Sequence, residues 1–92
     1  MIQSFKCTDT QSLFEGNRVA RFANIKSVAE RKLGMLNAAY KLQDLRSPPG
    51  NRLEALAGDR AGQHSIRIND QWRVCFVWTD NGPTDVEIVD YH

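Results

Sequence analysis

The sequence predicts an α+β fold: a small antiparallel β-sheet with two N-terminal helices packed on one face. Three observations carry it. Apolar residues recur at helical spacing from about Asn24 to Leu45, the period falls to two from residue 63 onward, and turn-forming pairs separate the alternating runs. Ninety-two residues make one domain, residues 1–92, with one modest core and little room for an enclosed pocket. Any substrate is therefore expected on an open surface.

In chain order, residues 2–6 alternate weakly, as a short strand does. Thr8, Asp9 and Thr10 offer N-cap oxygens for a short helix over Gln11 to Glu15, and Gly16-Asn17 stops it. Residues 17–23 are basic and aperiodic, which predicts a mobile connector. Ile25, Val28, Ala29, Leu33, Leu36, Ala39 and Tyr40 form one apolar stripe, so the second helix is expected from Asn24 to Leu45. Ser47-Pro48-Pro49-Gly50 ends it, because proline lacks the N–H and restricts the residue before it. Strands follow at 63–69, 71–78 and 84–91, with turns at Asn69-Asp70 and 79–83. The helix stripe must be buried, and its partner is the sheet face carrying Ile66, Ile68, Trp72, Val74, Phe76, Val86 and Ile88. The other face then presents Ser65, Arg67, Asn69, Arg73 and Tyr91 as an open polar surface.

Composition excludes several classes. No apolar run approaches the ~20 residues that span a bilayer, and the first residues lack the layout of a signal peptide, so the chain is expected in the cytoplasm with no membrane partner. Cys7 and Cys75 are isolated and read as reduced packing residues. No spacing of His, Cys or carboxylates completes a metal site, and no glycine loop cradles phosphate, so no metal or other cofactor is expected. Net charge is only +1, yet residues 17–46 carry seven bases against two acids, and residues 74–92 carry four acids with no Lys or Arg. The basic middle suits phosphate, or is a solvated helix face.

The remaining groups with chemical potential are Asp90, Tyr91 and His92, beside the strand arginines. Metal-free RNA cleavage needs a base for the 2′-OH proton, cations for charge developing on the phosphate, and an acid for the leaving 5′-oxygen. Histidine serves as acid or base near neutrality, and arginine holds phosphate through parallel hydrogen bonds. The same residues have plainer readings: Arg73 paired with Glu87, a frayed terminus, and a lone His64 without a role.

Several stretches are similar to one family. Leu53-Glu54-Ala55-Leu56-Ala57-Gly58-Asp59 leads into a strand reading Ser65-Ile66-Arg67. Gln71-Trp72-Arg73-Val74 follows, and the chain closes on Val89-Asp90-Tyr91-His92. In this order and length they resemble the HigB-type toxins of the RelE superfamily, from bacterial type II toxin–antitoxin systems. The resemblance implies a RelE-like fold and ribosome-dependent, metal-independent cleavage of mRNA at the A site, which stops translation. It implies the ribosome, mRNA and a helix-turn-helix antitoxin of the HigA type as partners. It carries catalytic roles onto Arg73 as phosphate stabiliser, Asp90 orienting a neighbour, Tyr91 positioning RNA, and His92 as acid or base. Arg52, Arg60 and Arg67 would bind RNA phosphates. Glu54 and Ala57 stand where relatives often carry His and Lys. Glu54 then either acts as the base or repels RNA, and the loss of a cation at Ala57 predicts a weak toxin, or a catalytically degenerate homologue that only binds antitoxin and modulates operon repression. The plainest alternative is a small RNA-binding domain with no partner gene.

Overall fold

In a computed structural model the described residues are 1–90. Two helices, α1 (Thr8–Phe14) and α2 (Lys26–Ala38), precede four strands: β1 (Glu54–Ala55), β2 (His64–Arg67), β3 (Trp72–Thr79) and β4 (Gly82–Asp90). The strands form an antiparallel sheet in the order β1-β2-β3-β4. The expected α+β architecture is therefore present. Tyr91, the expected last residue of the final strand, lies outside the described residues.

Helix α1 starts earlier than expected. Thr8, Asp9 and Thr10 sit inside it, and Cys7 precedes it without a side-chain cap. The buried hydroxyl of Thr10 instead accepts the Ile88 N–H at 3.0 Å, fixing α1 to β4. Gly16, at φ +92°, ends the helix as expected: its N–H reaches the Leu13 carbonyl, and Asn17 N–H reaches that of Ser12.

The basic connector is built rather than structureless. Ala20–Ile25 forms 3-10 turns, and Phe22 is fully buried, edge-on to Trp72 at 5.6 Å. An aromatic anchor fixes a segment whose aperiodic charges hid it.

Helix α2 ends at Ala38, not Leu45. The chain extends through Ala39 and restarts as a 3-10 helix over Leu42–Arg46. The cause is Asp44, whose carboxylate accepts the N–H groups of Tyr40 and Lys41, each at 2.9 Å, and so caps a new turn. These two bonds, that of Lys41 foremost, hold the Asp44 carboxyl below its ordinary pKa. Tyr40, expected in the buried stripe, is 87% exposed.

The stripe of α2 otherwise packs as expected. Ile25, Ala29, Leu33 and Leu36 are buried against Ile66, Val74, Phe76, Val86 and Ile88. A polar residue shares this stripe, because Lys32 is 7% exposed. The hairpin between β2 and β3 turns where expected, with the Asn69 carboxamide oxygen accepting the N–H groups of Gln71 and Trp72 at 2.8 Å.

Residues 2–6 make less of a strand than expected. Phe5 forms one parallel bridge to Val86, supported by bonds of Gln3, Ser4 and Lys6 to the β4 backbone. Gly82, at φ +125°, lies so close to the Met1 carbonyl that any Cβ there would collide with it.

Candidate functional site

On the sheet face away from the helices, register places Arg73 directly across from Arg67, and Ser65 across from both Cys75 and Glu54. This follows from strand alternation: Arg73 is one residue from Trp72 and Val74, so it points away from the core they join. Arg73 is strongly held. Its Nε donates to Ser65 Oγ at 2.7 Å, one terminal nitrogen donates to the Arg52 carbonyl at 2.8 Å, and the Glu54 carboxylate lies 3.4 Å from that nitrogen.

This face is not the open polar surface that alternation alone predicts. Ser65 and Cys75 are fully buried, and the Arg73 side chain is 11% exposed. The short strand β1 and the turn over Gly58–Arg60 bring further side chains onto it. Arg60 donates to Glu87 at 2.9 Å and to Gln63 at 3.1 Å, and Lys6 also approaches Glu87. Among the described residues Glu87 thus pairs with Arg60 and Lys6, and the carboxylate beside Arg73 is Glu54 rather than Glu87. Burial pushes the Cys75 thiol above its ordinary pKa, and the nearby Arg60, Glu87, Arg73 and Glu54 charges oppose one another around it.

Arg67 donates to Asp70 at 2.5 Å. Three arginines of this face therefore each carry a carboxylate, and a phosphate arriving here must compete with it. Arg52 is different. Its backbone is left-handed, at φ +46°, its carbonyl serves Arg73, and its side chain is exposed.

Asp90 pairs in register with Trp72, so it lies at the end of the sheet, one strand position out of phase with Arg73. Its carboxylate accepts from Gln71 at 3.1 Å. Tyr91 and His92, the other two members of the expected terminal cluster, lie outside the described residues. Ala57 is exposed beside the Gly58 turn. His64 stacks on Phe76, on the sheet face opposite Arg73, and among the described residues its buried Nδ1 has no hydrogen-bond partner. It also lines a cleft of about 250 Å³ behind Glu54, together with Leu42, Gln43, Arg46, Leu53 and Ala55.

Sequence reasoning missed Ser65 and the Arg52 carbonyl as the holders of Arg73, and missed Asn51 and Lys32 beneath them. Asn51 is fully buried: it donates to the Leu45 and Ser47 carbonyls, and its oxygen accepts from the Lys32 ammonium. The signal was present for Lys32, which falls on the apolar stripe of α2 between Val28 and Leu36. Burial, reinforced by Arg31 and Arg67, holds this ammonium below the usual lysine pKa. Among the described residues no cluster of His, Cys, Asp and Glu could hold a metal ion, and no helix is long and apolar enough to cross a membrane.

A four-stranded antiparallel sheet with two helices ahead of it in the chain is consistent with the RelE-like fold. The comparisons with known proteins agree. A model of the HigB-like toxin family, described as RelE-like toxins of type II toxin–antitoxin systems, matches residues 3–92. Toxin HigB-1 of Vibrio cholerae is 40% identical over 82 residues, which cover 87% of this chain and 86% of that protein. An uncharacterised protein of Haemophilus influenzae is 41% identical over 59 residues, covering 64% of this chain and 58% of its own length. The chain belongs to the HigB-like family of type II toxins. Membership of a type II system implies an antitoxin as partner.

Proposed function

We propose that this protein is a ribosome-dependent, metal-independent endoribonuclease that cuts mRNA at the A-site codon and so arrests translation in the cytoplasm. The observation that supports it most is the Arg73 guanidinium, held by Ser65 and the Arg52 carbonyl before any substrate arrives. A donor fixed in advance stabilises charge developing on a phosphate without reorganising, and one such donor typically contributes ~10²–10³ in rate. Arg67, directly across from Arg73, would hold a second phosphate oxygen or the neighbouring phosphate. Arg52 and Arg60 would guide the RNA backbone. His92 would act as acid or base, Tyr91 would position the RNA and Asp90 would orient a neighbour. A helix-turn-helix antitoxin of the HigA type would neutralise the toxin.

A second reading rests on the Arg73–Glu54 pair. A carboxylate already bound to the phosphate-binding arginine suits a degenerate toxin that retains only antitoxin binding and operon repression.

Cleavage of a 5′-labelled mRNA on programmed ribosomes separates the two. Intact protein should cut only at the A-site codon and only with ribosomes present. Arg73→Ala should lower the rate by ~10²–10³, and removal of His92 should abolish it. A folded, ribosome-bound wild type that makes no cut would leave the binding role as the better account.

A further inference from the structure

We propose that Lys32 is a positioning residue for Arg73, acting from helix α2 through Asn51 and the Arg52 peptide. The inference rests on the cleavage reading above and goes beneath it, to what fixes the guanidinium on which that reading depends.

The path is continuous. Lys32 donates its ammonium to the Asn51 carboxamide oxygen. The Asn51 amide then donates to the Leu45 carbonyl at 3.1 Å and the Ser47 carbonyl at 3.3 Å. Asn51 N–H reaches the Pro48 carbonyl at 2.9 Å, and Arg52 N–H reaches that of Pro49 at 3.1 Å. These bonds close the turn that leaves Arg52 left-handed, a conformation that is strained for a non-glycine residue and persists only where its surroundings impose it. The carbonyl delivered by that turn accepts from Arg73 at 2.8 Å. Helix position, turn and guanidinium are thus one hydrogen-bonded chain.

Lys32 is also an expensive way to build a core. It occupies a stripe position that leucine or methionine would fill, it is 7% exposed, and among the described residues it pairs with no carboxylate. The charges that act on it, Arg31 and Arg67, are both positive. A buried ammonium with one acceptor and two cationic neighbours detracts from stability. Costs of this kind concentrate at functional sites. Lys32 is too buried to meet a large substrate directly, so its effect runs through what it holds.

The test has one arm in the free protein and one on the ribosome. In free Lys32→Met, hydrogen exchange of the Arg73 Nε proton, read by NMR, should speed up about tenfold as the guanidinium loosens, and Lys32→Arg, which keeps charge and donors, should restore slow exchange. On programmed ribosomes Lys32→Met should lower the rate of the bound toxin by about 10-fold to 100-fold, with half-saturation unchanged. Added to Arg73→Ala, it should cause no further loss, because the group it positions is gone. Unchanged Arg73 exchange, or an equal loss in both backgrounds, would overturn the proposal, since the second result marks a general loss of structure. If wild-type protein cuts no mRNA, the cleavage reading fails while the exchange arm still decides the positioning role. Should Lys32→Met not fold, Lys32→Leu, which also removes both the charge and the donor, is read in its place with the same expected direction.

Discussion

Glu54 is the residue whose chemistry the two functional readings divide over. Its side chain is half exposed, and its carboxylate stands 3.4 Å from the same Arg73 nitrogen that binds the Arg52 carbonyl. A charge in this place competes with an incoming phosphate for the guanidinium. Glu54→Gln is therefore expected to raise ribosome-dependent cleavage severalfold, and Ala57→Lys, which returns a cation to the adjacent turn, to raise it further. The measurement is single-turnover cleavage on programmed ribosomes. A fall of ~10²–10⁴ in Glu54→Gln would instead identify Glu54 as the general base. An unchanged rate in Ala57→Lys would show that the missing cation does not limit the toxin. How Arg73 was found, and how its partners were not, follows from the range of each signal. Alternation along β3 places Arg73 outward from sequence alone, because the period of two acts within one strand. Its holders come from β2 and from the turn at Arg52, and such pairings depend on register and on a left-handed peptide that no local pattern announces.

Among the elements, the early end of α2 is the clearest departure from pattern. Periodicity continues through Ala39 and Tyr40, yet Asp44 draws the Tyr40 and Lys41 N–H groups away from helical bonding and begins a separate turn. An acid three residues after a helix start is a capping signal, and it outcompeted the stripe. Phe22 was hidden for the opposite reason: one buried aromatic among basic residues has no periodicity to reveal it. Strands β2, β3 and β4 and the hairpin at Asn69 were legible because alternation and the turn reinforce each other, whereas the two-residue β1 (Glu54–Ala55) is too short to show a period. The Asp44 cap carries a pH dependence. Its folded pKa lies below the ordinary carboxylate value, so its contribution is fully present above about pH 4, the unfolded value, and is lost as pH falls through the folded one. Asp44→Ala should therefore melt below wild type at neutral pH, and the gap should close in acid. A gap that persists at a pH below both pKa values would show that Asp44 acts by something other than its charge.

At the scale of the whole molecule, charge is separated along the chain far more than the net of +1 suggests. Residues 17–46 carry seven bases against two acids. On the sheet face, by contrast, Arg60, Arg67 and Arg73 each meet a carboxylate within the protein. If the protein acts on RNA as proposed, long-range attraction would fall mainly to the helical layer, and the sheet arginines would engage at short range, once a phosphate displaced their partners. Arg18 and Arg31 are exposed and form no ion pair among the described residues. Replacing either with alanine should weaken ribosome binding and make the slope of log affinity against log salt shallower by about one unit, as expected when one phosphate contact is lost. The cleavage rate of the saturated complex should not change, because among the described residues the bonds that hold Arg73 come from Ser65, Arg52 and Glu54. Arg73→Ala should do the reverse, slowing the bound step while leaving most of the salt dependence intact. Titrating programmed ribosomes at several salt concentrations, with rates taken at saturation, measures both quantities in one series. If Arg18→Ala and Arg31→Ala left the slope unchanged, the basic segment would be a solvated helix face, and the sheet would have to supply the attraction despite its internal pairing.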